Sequence, residues 1–194
     1  MINLLSDKLI HYAIRNGYME DEQADEYSYA LNMLINILIT DITMLIIGFL
    51  MNMVWECIVF WLAYKALRKY CGGFHFGTSL KCYLSSCIMC PAVLIVIKYV
   101  PYSQLIWGAV TLTTAIILFI FSPVGAENKP LDEKEKQVFG RVAKILIVAA
   151  MICWLVSSAV LHNDALAKII SLSAVNAAVF VVGGKIHLTV SKHE

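Results

Sequence analysis

The amino-acid sequence predicts an all-α membrane protein: a polytopic bundle of six transmembrane helices with an N-terminal interfacial amphipathic helix. Of the 194 residues, 60% are hydrophobic and only 15% are charged, whereas a soluble domain is about 45–50% apolar and about 25% charged. The apolar residues fall into six segments of about the length that crosses a bilayer, roughly 20 residues. Because the bilayer surrounds all six, we expect one membrane-embedded domain over residues 1–194.

The N-terminal residues 1–27 are expected to lie on the membrane surface. Ile2, Leu5 and Leu9 recur at helical spacing while the charged side chains fall elsewhere, which is the pattern of an interfacial helix. This stretch does not contain a basic region followed by a continuous apolar run. We therefore expect no cleaved signal peptide.

The six spans follow one another with mostly short connections and form the bundle 28–188. The third span contains Pro91, which removes one helix hydrogen bond and predicts a kink. The polar segment 122–138 contains two prolines and must leave the hydrocarbon, because lipid offers no partners for its backbone groups. The spans are predicted at 29–50, 53–67 with its flanks, 78–99, 104–121, 139–161 and 166–188.

The lysines and arginines are distributed unevenly between the two sides of this predicted bundle. Thirteen of the fifteen lie on one side, and only Lys98 and Lys168 lie on the other. Loops rich in these residues stay in the cytoplasm, so we expect both termini and the loop 122–138 on the cytoplasmic side. The net charge of +1 argues neither for nor against a nucleic-acid partner, and we expect none.

The segment 68–82, RKYCGGFHFGTSLKC, concentrates reactive residues between the second and third spans. A cysteine is a good nucleophile only as a thiolate and needs a base or a positive neighbour, and His75 with Cys82 would form such a pair. On one straight helix they would be separated by a rise of about 10.5 Å. We therefore expect a bend at Gly77, with Thr78 as the N-cap of the third span.

The paired glycines Gly72 and Gly73 come just before this histidine. Because glycine has no Cβ, the pair would let the loop approach another backbone or leave room for an extended peptide. We expect both glycines to support the site.

The reactive residues of this segment also have common structural explanations. A histidine at the membrane edge is often an interfacial residue, and a cysteine in a span often only packs. Cys71 is a rival nucleophile that is closer to His75 in sequence. Arg68, Lys69 and Lys81 equally fit cytoplasmic anchors of the spans. Spacing alone does not decide between these interpretations.

Polar residues inside the spans are further candidates. Asn32 and Asn36, one turn apart in the first span, could donate to an oxyanion or bond between helices. Asp41 and Glu56 are costly in a bilayer unless they are protonated or paired. For these two acidic residues we favour a role in packing between helices over a role in a path by which a peptide would cross the membrane.

Two functions that would not use Cys82 as a nucleophile fit the sequence less well. Cys87 and Cys90 form the C-x-x-C pair that a membrane thiol-disulfide oxidoreductase would need, but they lie within the third span. A small-solute transporter would use Asp41, Glu56 and Pro91, yet no inverted repeat is visible. The histidine and cysteine spacings do not match a zinc module, so we expect neither a metal nor a cofactor.

A resemblance to a known family favours Cys82 as the nucleophile. The segment 68–82 resembles the core of the AgrB family, the membrane cysteine endopeptidases of bacterial peptide quorum sensing. The Ser-Pro pair at 122–123 and Asn128-Lys129-Pro130 look like the family's second landmark, so the likeness covers most of the chain. The residues that carry the core motif are Arg68, Gly72, Gly73, His75 and Cys82.

The resemblance implies a substrate of the AgrD type, a precursor peptide with an N-terminal amphipathic helix and an acidic tail. By analogy Cys82 attacks the carbonyl before this tail with His75 as general base. An internal cysteine or serine of the peptide then displaces Cys82 and closes a thiolactone or lactone ring. The cations that we expect to attract the acidic tail are Arg68, Lys69, Lys81 and Lys129.

The resemblance also implies a cellular setting. The protein would be a multi-pass protein of the bacterial cell membrane, in contact with membrane lipids and usually a homodimer. The active site would lie at the cytoplasmic face.

Overall fold

Six α-helices make up the described part of the protein, which in this computed structural model comprises residues 12, 14–16, 24–74, 77–125 and 131–190. No strand occurs within these ranges, and the predicted all-α bundle is confirmed. A π-helical turn, Val156–Val160, continues α5. The helices are α1 (Ala24–Leu50), α2 (Val54–Cys71), α3 (Ser79–Tyr99), α4 (Gln104–Phe121), α5 (Glu133–Leu155) and α6 (Asp164–Val190).

Five of the six helices are long and apolar enough to cross a membrane, and α2 is the exception among the described residues. Its 18 residues include Glu56, Lys65, Arg68 and Lys69. Helix α2 packs against α1, α3, α5 and α6, and only four of its residues are exposed. Contact with protein on most sides compensates for its lower apolar content.

Helix α6 lies at the centre of the bundle and α1 at its edge. In their most apolar stretches, 56% of the residues of α6 are buried but only 11% of those of α1. Small side chains three or four residues apart line the buried face of α6 and let neighbouring helices approach closely. These buried small residues are Ala167, Ser171, Ala174 and Ala178.

The carboxylate in the middle of α1 is paired with a cation from α2. Lys65 Nζ donates to both oxygens of Asp41 at 2.8 and 2.9 Å, and Trp61 Nε1 donates to Asp41 Oδ1 at 2.8 Å. These bonds connect α1 to α2, which agrees with a packing role for Asp41. Glu56 lies in the first turn of α2, where the helix dipole favours a negative charge.

Helix α5 begins at Glu133, six residues before the predicted span and inside the predicted loop 122–138. A capping box sets this start: Glu135 N donates to Asp132 Oδ1 at 2.6 Å, and Asp132 N donates to Glu135 Oε2 at 3.2 Å. An aspartate followed three residues later by a glutamate signals a helix start in sequence. The connection from α4 to α5 is therefore shorter than predicted.

The predicted boundaries of the other helices differ less. Helix α1 begins at Ala24, five residues before the predicted span. Helix α3 contains Pro91 and is continuous over its whole length. The predicted interfacial helix 1–27 lies outside the described residues, apart from residues 12 and 14–16 and the start of α1.

Candidate active site

The paired glycines that follow α2 bring three segments of backbone together. Gly72 has φ 71° and Gly73 has φ 115°, in the left-handed region that favours glycine. A Cβ at Gly72 would lie 1.9 Å from the carbonyl oxygen of Val124, and one at Gly73 would lie 2.4 Å from that of Phe180. The pair therefore lets this loop approach two other backbones, which is one of the two roles that its sequence suggested.

Main-chain hydrogen bonds hold the glycine loop against the connection after α4 and against α6. Val124 N donates to Cys71 O at 3.0 Å, and Gly73 N donates to Val124 O at 3.1 Å. Phe74 N donates to Phe180 O at 2.7 Å. Because Val124 directly follows the Ser-Pro pair, the two sequence landmarks meet in space.

A third glycine, Gly184 of α6, completes this contact. A Cβ there would lie 2.5 Å from Phe74 N and 2.7 Å from Gly73 C. The sequence did not predict the roles of Gly184, Val124 and Phe180. The only available signal was the Gly183-Gly184 pair near the end of an apolar helix, which marks a close approach of backbone.

Arg68 secures the glycine loop from α2. Its guanidinium donates hydrogen bonds to the carbonyl oxygens of Gly72 and Phe74. It also lies over the ring of Phe180, with 4.8 Å from Cζ to the ring centroid, in a cation–π contact. Arg68 is half-buried. Because its hydrogen bonds hold the residues that lead to His75, its role goes beyond that of a membrane anchor.

Cys82 lies at the start of α3, on the other side of this loop. Thr78 is the N-cap, as predicted, and its side chain accepts from Lys81 N at 3.4 Å. Cys82 N donates to Thr78 O at 3.3 Å, so the cysteine comes just after the first turn. Its side chain is exposed and is not in a disulfide, close to the N-terminal end of α3.

The bend before α3 differs in detail from the prediction. Gly77 does not have a positive φ, and a Cβ there would meet no atom within 4 Å. In the described chain the left-handed glycines are Gly72 and Gly73. The chain bends at Gly77 and Thr78, as predicted, and the left-handed glycines among the described residues lie before the histidine.

Two predicted site residues, His75 and Lys129, lie outside the described residues. The described neighbours of His75 are Phe74, which is bonded to α6, and Gly77, which precedes the cap of α3. The pairing of His75 with Cys82 stays a prediction.

The other cysteines differ from Cys82 in accessibility or in neighbours. Cys71 is completely buried in an apolar cluster with Leu67 and Val124, where a peptide could not reach it. Cys90 is also completely buried, and its Sγ lies 3.5 Å from Sγ of Cys57 on α2. Burial of Cys71 favours Cys82 as nucleophile, and the contact of Cys90 with α2 weakens the redox interpretation.

The side-chain amide of Asn36 is engaged within its own helix. Asn36 Nδ2 donates to Asn32 O at 2.8 Å, which leaves one N–H of this amide for another acceptor. A contact that sequence reasoning missed joins α1 to the start of α3: the hydroxyls of Thr43 and Tyr83 lie 3.1 Å apart. Tyr83 directly follows Cys82, and this bond helps to position the start of α3.

Comparison with known proteins independently supports the family resemblance that the sequence motif suggested. Two proteins of Clostridium perfringens that are named AgrB-like resemble the chain. AgrB-like protein 2 of strain 13 / Type A is 27% identical over 166 residues, covering 80% of this chain and 78% of its own. An AgrB-like protein of strain SM101 / Type A is 30% identical over 158 residues, covering 76% and 73%. No solved structure matches the chain.

A family model for accessory gene regulator B matches residues 6–182. The match includes the glycine loop, the first turn of α3, the Ser-Pro connection and most of α6. The chain therefore belongs to the accessory gene regulator B family, and this membership places it in accessory gene regulator quorum sensing.

Proposed function

We propose that this protein is a membrane cysteine endopeptidase that removes the C-terminal tail of an AgrD-like precursor peptide and promotes its cyclisation. The observation that carries the proposal is the contrast between the two cysteines of the motif. Cys82 is exposed at the N-terminal end of α3, whereas Cys71 is buried in the core.

The first step forms a thioester. His75 takes the proton of the Cys82 thiol, and the thiolate attacks the carbonyl carbon before the tail. When the C–N bond breaks, the imidazolium gives its proton to the leaving amine, and the tail departs. Arg68 and the three glycines contribute by holding the chain that leads to His75.

The second step closes the ring. A cysteine thiol or serine hydroxyl within the bound peptide loses its proton to His75 and attacks the thioester carbonyl. The bond between that carbon and Cys82 Sγ breaks, and the thiolate is regenerated. Water is scarcer at a membrane edge, which favours ring closure over hydrolysis.

The tail is acidic and the expected binding surface is basic. Lys69 and Lys81 are exposed near the two ends of the loop, and Lys129 belongs to the same set of expected partners. The excess of cations on one side of the bundle supports a site at the cytoplasmic face, with both termini in the cytoplasm. The homodimer of the family is part of the same proposal.

Cysteine replacement tests the proposal directly. With a co-expressed AgrD-like peptide, Cys82→Ala and His75→Ala should each lower cleavage by about 10³-fold or more, measured by mass spectrometry of the peptide. Cys71→Ala and Cys87→Ala are the matched controls and should keep cleavage. An acyl adduct on Cys82 that thiols release would support the thioester, and cleavage by Cys82→Ala would overturn it.

A further inference from the structure

A groove runs along the bundle between α3 and α6, beside the candidate active site. Its volume of about 650 Å³ lies within the range of roughly 300–1,000 Å³ that is typical of ligand sites. Its lining is mostly apolar and extends from Lys81 to Val96 on α3, with Val179 and Phe180 on α6. At about 1.5 Å per residue, this part of α3 is roughly 22 Å long.

One end of the groove lies at the first turn of α3, next to Cys82. Lys81 lines the groove and directly precedes Cys82. On the opposite wall, the ring of Phe180 lies under the Arg68 guanidinium, and Phe180 O accepts a hydrogen bond from Phe74 N. Cys82 shares a helix face with the groove-lining Met89, because residues seven apart on a helix lie on the same side. A chain joined to Cys82 could therefore continue directly into the groove.

The walls carry polar groups that an acyl chain cannot satisfy. Asn176 Nδ2 donates to Leu172 O at 2.8 Å, and within the described part of the chain no donor reaches its Oδ1. The hydroxyl of Ser85, across the groove, likewise makes no hydrogen bond to a described residue. Polar groups at membrane depth are costly unless they are bonded. A peptide backbone offers a donor and an acceptor at every residue, whereas a lipid tail offers neither.

We propose that this groove binds the substrate segment immediately N-terminal to the cleaved bond, the part that stays on Cys82 as a thioester. The inference rests on the proposed function and extends it by assigning the subsite. An extended chain rises about 3.3 Å per residue, so the groove holds roughly six or seven residues. Lys81 at its end attracts the acidic residues that follow the cleaved bond.

The test uses the full-length protein in detergent and a synthetic AgrD-like peptide. Val179→Trp fills the groove, and Val148→Trp is the matched control because Val148 is an exposed valine of α5. We expect Val179→Trp to raise the KM about tenfold with little change in kcat, and Val148→Trp to leave both unchanged. Asn176→Leu, which keeps the number and branching of the side-chain heavy atoms, should raise KM several-fold by removing one hydrogen bond to the peptide.

Binding is read separately from cleavage by alkylating the thiols with a small maleimide. The peptide should protect Cys82, but not the exposed Cys153, and Val179→Trp should lose this protection while its Cys82 reacts normally without peptide. Cys71 is completely buried in the folded protein, so its continued lack of reaction with maleimide shows that the variant is folded.

The outcomes separate this proposal from its rivals. Wild-type KM and protection in both Val179→Trp and Asn176→Leu would overturn it. Loss of dimer, or loss of a co-purified phospholipid, with an unchanged KM would assign the groove to a second copy or to lipid and would also overturn it. If wild-type protein binds the peptide with protection of Cys82 but does not cleave it, the proposed function fails while the groove assignment stands.

Discussion

The two ends of the bundle both use a cation from one helix to hold carbonyl groups of another segment. At the site end, Arg68 of α2 donates to the carbonyls of Gly72 and Phe74. At the opposite end, Lys168 of α6 donates to Ile97 O at 2.9 Å and to Val100 O at 2.7 Å. The same chemistry serves two different purposes.

The difference lies in what the carbonyls belong to. Those bound by Lys168 belong to the last turn of α3 and its C-cap, and Lys168 is only 8% exposed. This end is a closed helix cap. Those bound by Arg68 belong to a loop that leads toward an exposed thiol. The protein therefore fixes one flank of the site and leaves the other accessible.

Among changes at the two ends of the bundle, the largest expected effect comes from disturbing the fixed flank. Gly73→Ala places a Cβ 2.4 Å from Phe180 O, at a φ of 115° that alanine disfavours, so the loop must move. A displacement of about 1 Å costs roughly 10²-fold in rate, and we expect a loss of peptide cleavage of that size. Gly77→Ala is the control because its Cβ meets only open space. Equal cleavage by both variants would contradict the close contact with α6.

A stability effect without a catalytic one is expected at the closed end. Lys168→Met leaves the carbonyls of Ile97 and Val100 without their donor, which costs about 2 kcal/mol in free energy of unfolding. The melting temperature in detergent should fall by roughly 4–8 °C, with cleavage per folded molecule unchanged. Lys98→Met, at an exposed position on the same side, should change neither. A loss of cleavage with an unchanged melting temperature would reverse the assignment of the two ends.

The smallest effect concerns the cap of α3. Thr78→Ala removes the bond to Lys81 N and should lower the free energy of unfolding by about 0.5–1 kcal/mol. Peptide cleavage should fall a few-fold because Cys82 lies one turn after Thr78. Thr78→Ser should restore the rate. Ser103→Ala at the start of α4 makes a useful contrast, since Ser103 makes no side-chain cap bond. A Thr78→Ala variant with wild-type kcat/KM for peptide cleavage would show that the cap does not position the thiol.

Local patterns predicted much of this arrangement. Hydrophobic segments of bilayer length identified five of the six helices and a shorter segment identified α2, and Thr78 was identified as an N-cap from its position before the third span. The start of α5 was misplaced because apolar content was given more weight than the Asp132–Glu135 capping signal. That signal was present in the sequence.

Contacts between distant segments could not be predicted in the same way. That Gly73 meets Phe180, and that Arg68 binds the carbonyl groups of the loop, depends on how α6 packs beside α2. Lys65 was counted among the cations of one side, and its ion pair with Asp41 of α1 was not predicted. A single sequence shows which residues are costly in a membrane, not which partner each one finds.

The fastening of the glycine loop to α6 has a consequence for how the protein can evolve. The bond from Phe74 N to Phe180 O joins main-chain atoms, so its geometry does not depend on which side chains those two positions carry. The three glycines are the positions where an added side chain would disturb this contact. Exchanges of side chains elsewhere on α3 and α6 would therefore leave the glycine loop in the same position on α6.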